Sequence, residues 1–518
     1  MTTLAALPCP AVDGLAVDGL AVGDPAVGDP AVGEPAGFQP ALAPLADVVG
    51  GELSVPLVQG GQVRYVNLDY AASAPALRAV ADRVAELLPL YSSVHRGAGY
   101  ASAVCTRAYE AARAEIAAFV GAGDDDAVVF TRNTTDALNL LASAVPASDV
   151  PTSALGGGAG SAVSVGGPGL VVHLDIEHHA NLLPWQRLGA RVVRAGGTRA
   201  ETVAAVEAEL AAAPAALLAV TGASNVTGEC PPLAELTSVA HRHGARIVVD
   251  GAQLVPHRRV SLTASGIDYL AFSGHKIYAP FGAGVLVGRR DWLESAPPYL
   301  AGGGAVREVR LGATEWAAVP ARHEAGTPNV VGAVALAAAC RAVAALGPDA
   351  VSAHESALVR RLTRGLAGVD GVRTLRLWPP AAEAAGDKAG GDKAGGDEAG
   401  AADCIGVVTF TVDGYPAPLV AQYLSAEHGI GVRDGRFCAH PLLARLTADG
   451  AGVRASLGLG SRAADVDRLV SALAELRAHG PAWSYAVTAV GCAPDPDPRE
   501  LPGWLAGEIT GPASPCAG

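Results

Sequence analysis

Lysine is the scarcest charged residue in this 518-residue chain: of 37 Lys and Arg, only Lys276, Lys388 and Lys393 are lysines. Wherever a positive charge alone suffices, the sequence uses arginine. Aromatic residues are few, at 5%, and methionine occurs once, a compositional bias rather than the mark of a structural class. The eight cysteines lie scattered from Cys9 to Cys516 with no Cys-x-x-Cys pair, which argues against a zinc ribbon or a disulfide framework. No apolar run reaches the ~18 residues of a membrane span, and the first residues lack the basic segment that opens a secretory or transit peptide. A cytoplasmic setting away from membranes is therefore expected. The formal net charge is −14, but its distribution says more: residues 1–63 hold seven acids and no Lys or Arg, 381–403 carry a net −4, 481–518 a net −3, and the remainder sums to zero. A neutral core with acidic appendages lacks the basic footprint of a nucleic-acid binder.

What is abundant is apolar residues, at 50%, together with 64 Gly and 36 Pro, many of them in a few segments. Residues 11–36 repeat Ala-Val-Asp-Gly-Leu and then Gly-Asp-Pro-Ala-Val, and 1–60 are expected to form a mostly disordered acidic tail. The glycine-rich run 156–169, within an insertion over 151–169, and residues 381–403 have linker composition and read as surface-loop insertions. Residues 481–518 read as a flexible, Pro-rich tail. Between these segments lie the apolar runs 127–130, 170–174, 216–221, 246–250, 269–273 and 284–288, separated by helical patterns such as 200–212 and 233–243. Strands alternating with helices predict an α/β fold with a large, mostly parallel (mixed) sheet. Ligands of such sheets bind at the carboxyl ends of the strands.

Since Lys388 and Lys393 belong to the 381–403 insertion, Lys276 is the sole lysine of the predicted core. A lysine kept where arginine serves everywhere else points to what arginine cannot do: lose its proton near neutral pH and act as a nucleophilic amine. Lys276 follows the run 269–273 in Ser273-Gly274-His275-Lys276, at a strand's carboxyl end. A pyridoxal phosphate (PLP) site needs an amine, a carboxylate for the pyridine nitrogen, phosphate donors and a flat partner for the ring. Asp250, which ends the run 246–250, offers the carboxylate or else a helix cap. Thr134 and Thr135 open a helix after the run 127–130, where anions are attracted. His178 could stack on the ring.

The motifs resemble class V, fold-type I PLP enzymes, in particular the SufS-like branch of cysteine desulfurases and selenocysteine lyases. The matching stretches are Val66-Asn67-Leu68-Asp69-Tyr70-Ala71-Ala72, Val94-His95-Arg96-Gly97, TRNTTDALN at 131–139, EHHANLLPW at 177–185, SNVTGE at 224–229, VVDGAQ at 248–253, FSGHKIYAPFGAGVL at 272–286, EAGTPN at 324–329, and GIGVRDGRFCAHPL through VRASLGLG at 429–460. They run in order over about residues 61–479. The resemblance implies a large PLP-binding domain at 81–335 and a smaller α/β C-terminal domain at 336–480, against which the start of the core, 61–80, packs.

By the same resemblance Lys276 is the Schiff-base lysine, Asp250 the pyridinium partner, Gln253 a ligand of the phenolic oxygen and His178 the ring's stacking partner. Thr135, Ser273 and His275, with Thr134 beside them, form the phosphate cradle. Thr327 reaches a neighbouring subunit's phosphate, which implies a homodimer. Asn225 and Arg454 hold the substrate's carboxylate end, where arginine's planar fork is apt, and His95 joins the substrate-binding set. Cys438 is the nucleophile that takes sulfur from L-cysteine, or selenium from L-selenocysteine, and hands it to an acceptor protein. Arg433 and Arg436 stand near it in sequence and favour the thiolate, the reactive form. Two departures bear on substrate and sulfur transfer. Asp434-Gly435-Arg436-Phe437 stands where the branch has a small residue, Gly and a His pair, and Gly460-Ser461 where a Tyr-Asn pair is common. The alternative is another class V enzyme, an aminotransferase, epimerase or C–S lyase, in which Cys438 is incidental; an idle scaffold would not need Lys276.

Overall fold

The structure is a computed structural model that describes residues 42–146, 170–379, 404–488 and 491–505. The expected insertions at 151–169 and 381–403 and the repeats at 11–36 lie outside the described residues. Seven strands form one large sheet: β1 (Asp126–Thr131), β2 (Val171–Leu174), β3 (Arg191–Val193), β4 (Leu217–Thr221), β5 (Arg246–Asp250), β6 (Tyr269–Ser273) and β7 (Gly284–Arg289). Their spatial order is β1-β7-β6-β5-β4-β2-β3. All neighbours are parallel except those of β7, which runs antiparallel to β1 and β6. The strands are apolar throughout because both faces are covered. Val128, Leu218, Val249, Leu270 and Val285 share one core, and their chain neighbours Val129, Leu217, Val248, Ala271 and Leu286 share the other. That is the period-2 alternation of a strand, with an apolar layer on each side.

Six of these strands coincide with the predicted apolar runs. The seventh, β3, is a three-residue edge strand whose central Val192 is 59% exposed, too short to register as a pattern. On one face lie helices α1 (Tyr100–Phe119) and, after the sheet, α3 (Val330–Leu346), which adds Ala333, Leu336 and Cys340 to that core; α2 (Thr134–Ala144) covers the other with Leu138 and Leu141.

A second, antiparallel sheet follows in the order β8 (Val372–Thr374), β9 (Val407–Val412), β11 (Gly452–Ser456), β10 (Arg433–Gly435). The early chain belongs with it. Val66–Asn67 pairs in parallel with Ile430–Gly431, Asp69 bridges to Ser456, and Val66 and Leu68 share a core with Phe410, Leu424 and Leu473. This arrangement brings Asp69, β10 and β11 to the carboxyl edge of the large sheet, as the bonds below show.

Two expectations of disorder are corrected. Residues 42–60 are folded: Leu45 N donates to Leu459 O at 2.7 Å, Ser54–Pro56 pairs with Gln62–Arg64, and Val58 is buried. Isolated apolar anchors outweigh the low-complexity character of the preceding repeats. Within the predicted 481–518 tail, Tyr485–Thr488 pairs with Gly491–Pro494 as a hairpin. It is tied down by buried Glu427, which accepts from Ala482 N at 3.0 Å and Tyr485 Oη at 2.8 Å. Among the described residues no single helix is long and apolar enough to cross a membrane.

Candidate active site

A cavity of about 570 Å³ opens where β1, β2, β4, β5 and β6 end. Its walls include eleven of the thirteen expected site residues: Thr134, Thr135, His178, Asn225, Asp250, Gln253, Ser273, His275, Lys276, Cys438 and Arg454. Each of the first nine lies within a few residues of a strand's carboxyl end, where the chain leaves the ladder and its side chains are free to converge.

Lys276 ends the short turn Gly274–Lys276 that follows β6. Burial pushes its amine from 10.5 down to about 8; Arg454 adds to the shift, while Asp250 and Cys438 oppose it. A buried ammonium pays desolvation and sheds its proton more readily. Asp250, 4% exposed, accepts from Ala252 N at 3.0 Å, and burial raises its pKa against the opposing pull of Lys276. Gln253 donates to Ala71 O at 2.8 Å, which ties the turn after β5 to the early chain.

His178 is held neutral: burial, followed by the charge of Lys276, depresses its pKa to about 3. Its Nδ1 accepts from Ala180 N at 3.0 Å, which leaves the proton on Nε2. The turn that carries it is anchored by fully buried Glu177, which accepts from Asn181 Nδ2 at 2.6 Å, while Trp185 Nε1 donates to Asn181 at 3.1 Å.

Hydroxyls gather at the N-terminus of α2. Asn133 caps this helix by accepting from Asp136 N at 3.0 Å, the usual way to satisfy a first-turn donor. Thr134 N donates to Ser273 Oγ at 2.7 Å, and the Thr134 and Ser273 hydroxyls are 2.7 Å apart. The approach is close because β7 has glycine at this point: a Cβ on Gly284 would stand 2.6 Å from Asn133 Cα. His275, its pKa lowered to about 4 chiefly by burial, shares a 2.8 Å bond with Ser73 Oγ. Helix N-terminus, hydroxyls and adjacent lysine make an anion cradle.

The opposite wall comes from the second sheet. Arg454 on β11, 2% exposed, donates to Asn225 O at 3.0 Å and to Asp69 Oδ1 at 3.1 Å. Arg433 on β10 donates to the same carboxylate at 2.9 Å and 3.1 Å. The loop after β10 places Cys438 at the surface of the cavity. Phe437 O accepts from Asn225 Nδ2 and Cys438 O from His179 N, both at 2.8 Å. Phe437 and Cys438 have φ of 50° and 53°, a left-handed pair that costs roughly 1–2 kcal/mol per residue and is offset by these anchors.

This geometry adds to the sequence reading at three points. Arg433 is held by Asp69 on the wall of the cavity that Cys438 also lines, and Lys276 and Arg454 interact with Cys438 through space as well. His95 does not reach this cavity within its own chain; its ring bonds Glu110 Oε1 at 2.8 Å. His95 and Thr327 instead line a separate cavity of about 610 Å³, with Arg113 and Glu324. Asp69 is a site residue that the sequence pattern does not single out. Its function as the carboxylate between two arginines depends on a partner 385 positions away, which no local pattern reveals.

The donor set fits PLP: one amine with a lowered pKa, a buried carboxylate on the adjoining strand, a neutral imidazole and a hydroxyl cradle at a helix N-terminus. Comparison with known proteins agrees. Residues 66–385 and 398–469 match the aminotransferase class-V family, and the chain belongs to that family of PLP-dependent, fold-type I enzymes. Within it, the chain is similar to a cysteine desulfurase of Dickeya dadantii (strain 3937), 38% identical over 427 residues, or 80% of this chain and 92% of the relative. A probable cysteine desulfurase 2 of Mycobacterium leprae (strain TN) is 37% identical over 80% of this chain and 91% of its own. Among solved structures, the cysteine desulfurase CsdA (S-sulfonic acid) of Escherichia coli superposes with a TM-score of 0.65 at 32% identity, covering 79% of this chain and 94% of that one. An apo cysteine desulfurase of Thermococcus onnurineus NA1 gives 0.67 at 30% identity, covering 80% and 94%.

Proposed function

We infer that this protein is a PLP-dependent cysteine desulfurase, converting L-cysteine to L-alanine and carrying the sulfur on Cys438. The observation that supports this most strongly is the placement of Cys438. Its exposed thiol stands on a loop pinned by two carbonyl hydrogen bonds, at the rim of the cavity that contains Lys276 and Arg454. An aminotransferase needs the lysine and the arginine but has no use for a thiol held there.

Lys276, Asp250, Gln253 and His178 would hold the PLP ring, and Thr134, Thr135, Ser273 and His275 its phosphate. When bound, PLP supplies an electron sink for bond changes at the amino acid's Cα and Cβ. Arg454 holds the substrate carboxylate in its fork, and Asn225 orients that arginine by accepting from its Nη1. The Lys276 amine, poised near neutrality, takes and returns the Cα proton. Cys438 attacks as thiolate. The cysteine Cβ–S bond breaks, an S–S bond forms on Cys438, and Cβ gains a proton, so one thiol and one cysteine yield a persulfide and alanine.

The exposure of Cys438 suits delivery of the persulfide to an acceptor protein, and the same attack extends to the selenium of L-selenocysteine. A homodimer is part of the proposal: His95 and Thr327 line a cavity apart from their own active site, beside a stretch with exposed Leu88, Tyr91 and Tyr100. Reducing cytoplasm is the compartment in which an exposed thiol of this kind stays reduced. Replacing Cys438 by Ala tests the assignment. The variant should keep cofactor absorbance and form no persulfide; sulfide release from L-cysteine at the full rate would overturn the role.

A further inference from the structure

Phe437 adopts φ of 50°, a conformation that bulky residues avoid. Its ring is 8% exposed and lies in the apolar core that includes Ala439 and Leu442. Over this ring stands the Arg454 guanidinium, 5.1 Å from the centroid. The backbone of Phe437 is held from another direction, since its carbonyl accepts from Asn225 Nδ2 at 2.8 Å. Asn225 in turn accepts from Arg454 Nη1 at 3.0 Å through its own carbonyl. Arg454, Asn225 and Phe437 therefore close a triangle of contacts, and the next residue in the chain is the nucleophile. Arg454 Nε is buried and makes no hydrogen bond among the described residues, so Asn225 O, Asp69 and the aromatic face of Phe437 constrain this guanidinium.

We propose that Phe437 is a positioning residue that couples the arginine for the substrate carboxylate to the loop bearing Cys438. The ring fixes Arg454, and the carbonyl ties that arginine through Asn225 to the nucleophile's own backbone. Engagement of a carboxylate at Arg454 is thereby felt at the thiol. This rests on the desulfurase reading for its substrate, but the coupling can be measured without turnover.

The test uses the PLP-loaded protein, titrated with L-alanine while cofactor absorbance is followed, and the alkylation rate of Cys438 by iodoacetamide with and without saturating L-alanine. Phe437→Leu keeps an apolar side chain but removes the π face; Phe437→Tyr restores it. The expected result for Phe437→Leu is an L-alanine affinity weakened by about 2- to 30-fold, the span of a cation–π contact from exposed to desolvated. KM for L-cysteine should rise by a similar factor at unchanged PLP content. L-Alanine should alter Cys438 alkylation in the native protein and in Phe437→Tyr but not in Phe437→Leu. Unchanged affinity in Phe437→Leu, a Tyr variant as weak as the Leu variant, or coupling that survives in Phe437→Leu would each overturn the proposal. If the native protein releases no sulfide yet shows this pattern with L-alanine, the desulfurase reading fails and the coupling stands.

Discussion

In the cofactor-free protein the Lys276 amine should titrate far below an ordinary lysine. With the pKa near 8 instead of 10.5, about a quarter of the molecules carry the neutral amine at pH 7.5, against about one in a thousand for the unperturbed group. Burial is the main cause, and the flanking charges act in opposite senses: Arg454 lowers the value and Asp250 raises it. Asp250→Asn should therefore move the midpoint down, and Arg454→Gln should move it up. The assay is acylation of Lys276 in the cofactor-free chain between pH 6 and pH 10, followed by peptide mass spectrometry with N-acetyl-lysine as reference. The lysine-poor composition makes the modified peptide unambiguous. The expected rate rises with pH and levels off above about pH 9, as a midpoint near 8 requires. A rate still climbing in parallel with the reference at pH 10, or two variants that shift the midpoint in the same direction, would refute the reasoning.

Two further outcomes follow from the packing. Ser273→Ala removes a hydroxyl bonded to both Thr134 N and Thr134 Oγ1 from the anion cradle; PLP affinity by equilibrium dialysis should fall about 10- to 100-fold, the range of a hydrogen bond to a charged group. Glu324→Ala takes from Arg113 the carboxylate it reaches at 2.7 and 2.9 Å, leaving it Glu110 and Val128 O, and takes the acceptor of Tyr109 Oη and Phe130 N; urea unfolding should show a loss of about 1–3 kcal/mol, and an unchanged stability would contradict the role of this carboxylate.

The parts of this molecule legible in its sequence are those set by short-range chemistry. Runs such as 246–250 are apolar because both faces of the sheet are covered, so they stand out without knowledge of their neighbours. Lys276, Asp250, Thr134 and His178 were traceable because each follows a strand closely and the fold gathers strand ends in one place. Asp69 and Arg433 were not, because their pairing joins the early chain to β10 across 364 positions. Proximity in sequence points Arg433 toward Cys438, and the pairing with Asp69 that fixes it on the wall of their common cavity is what that proximity does not reveal. Residues 42–60, and the strands Tyr485–Thr488 and Gly491–Pro494, were hidden for a different reason: they are held by a few isolated anchors, such as Leu45 and Tyr485, which do not alter a composition dominated by glycine, proline and alanine.

The central claim, that Cys438 takes sulfur from L-cysteine in a site built around Lys276, is tested most directly by measuring alanine and sulfide together. The purified PLP-loaded protein is incubated with L-cysteine and a reductant, beside its Cys438→Ala variant. Equimolar alanine and sulfide from the native protein, both lost in a variant that retains its cofactor absorbance, is the expected result. A native protein with intact cofactor absorbance that leaves L-cysteine unchanged, or a variant that releases both products at the native rate, would contradict it.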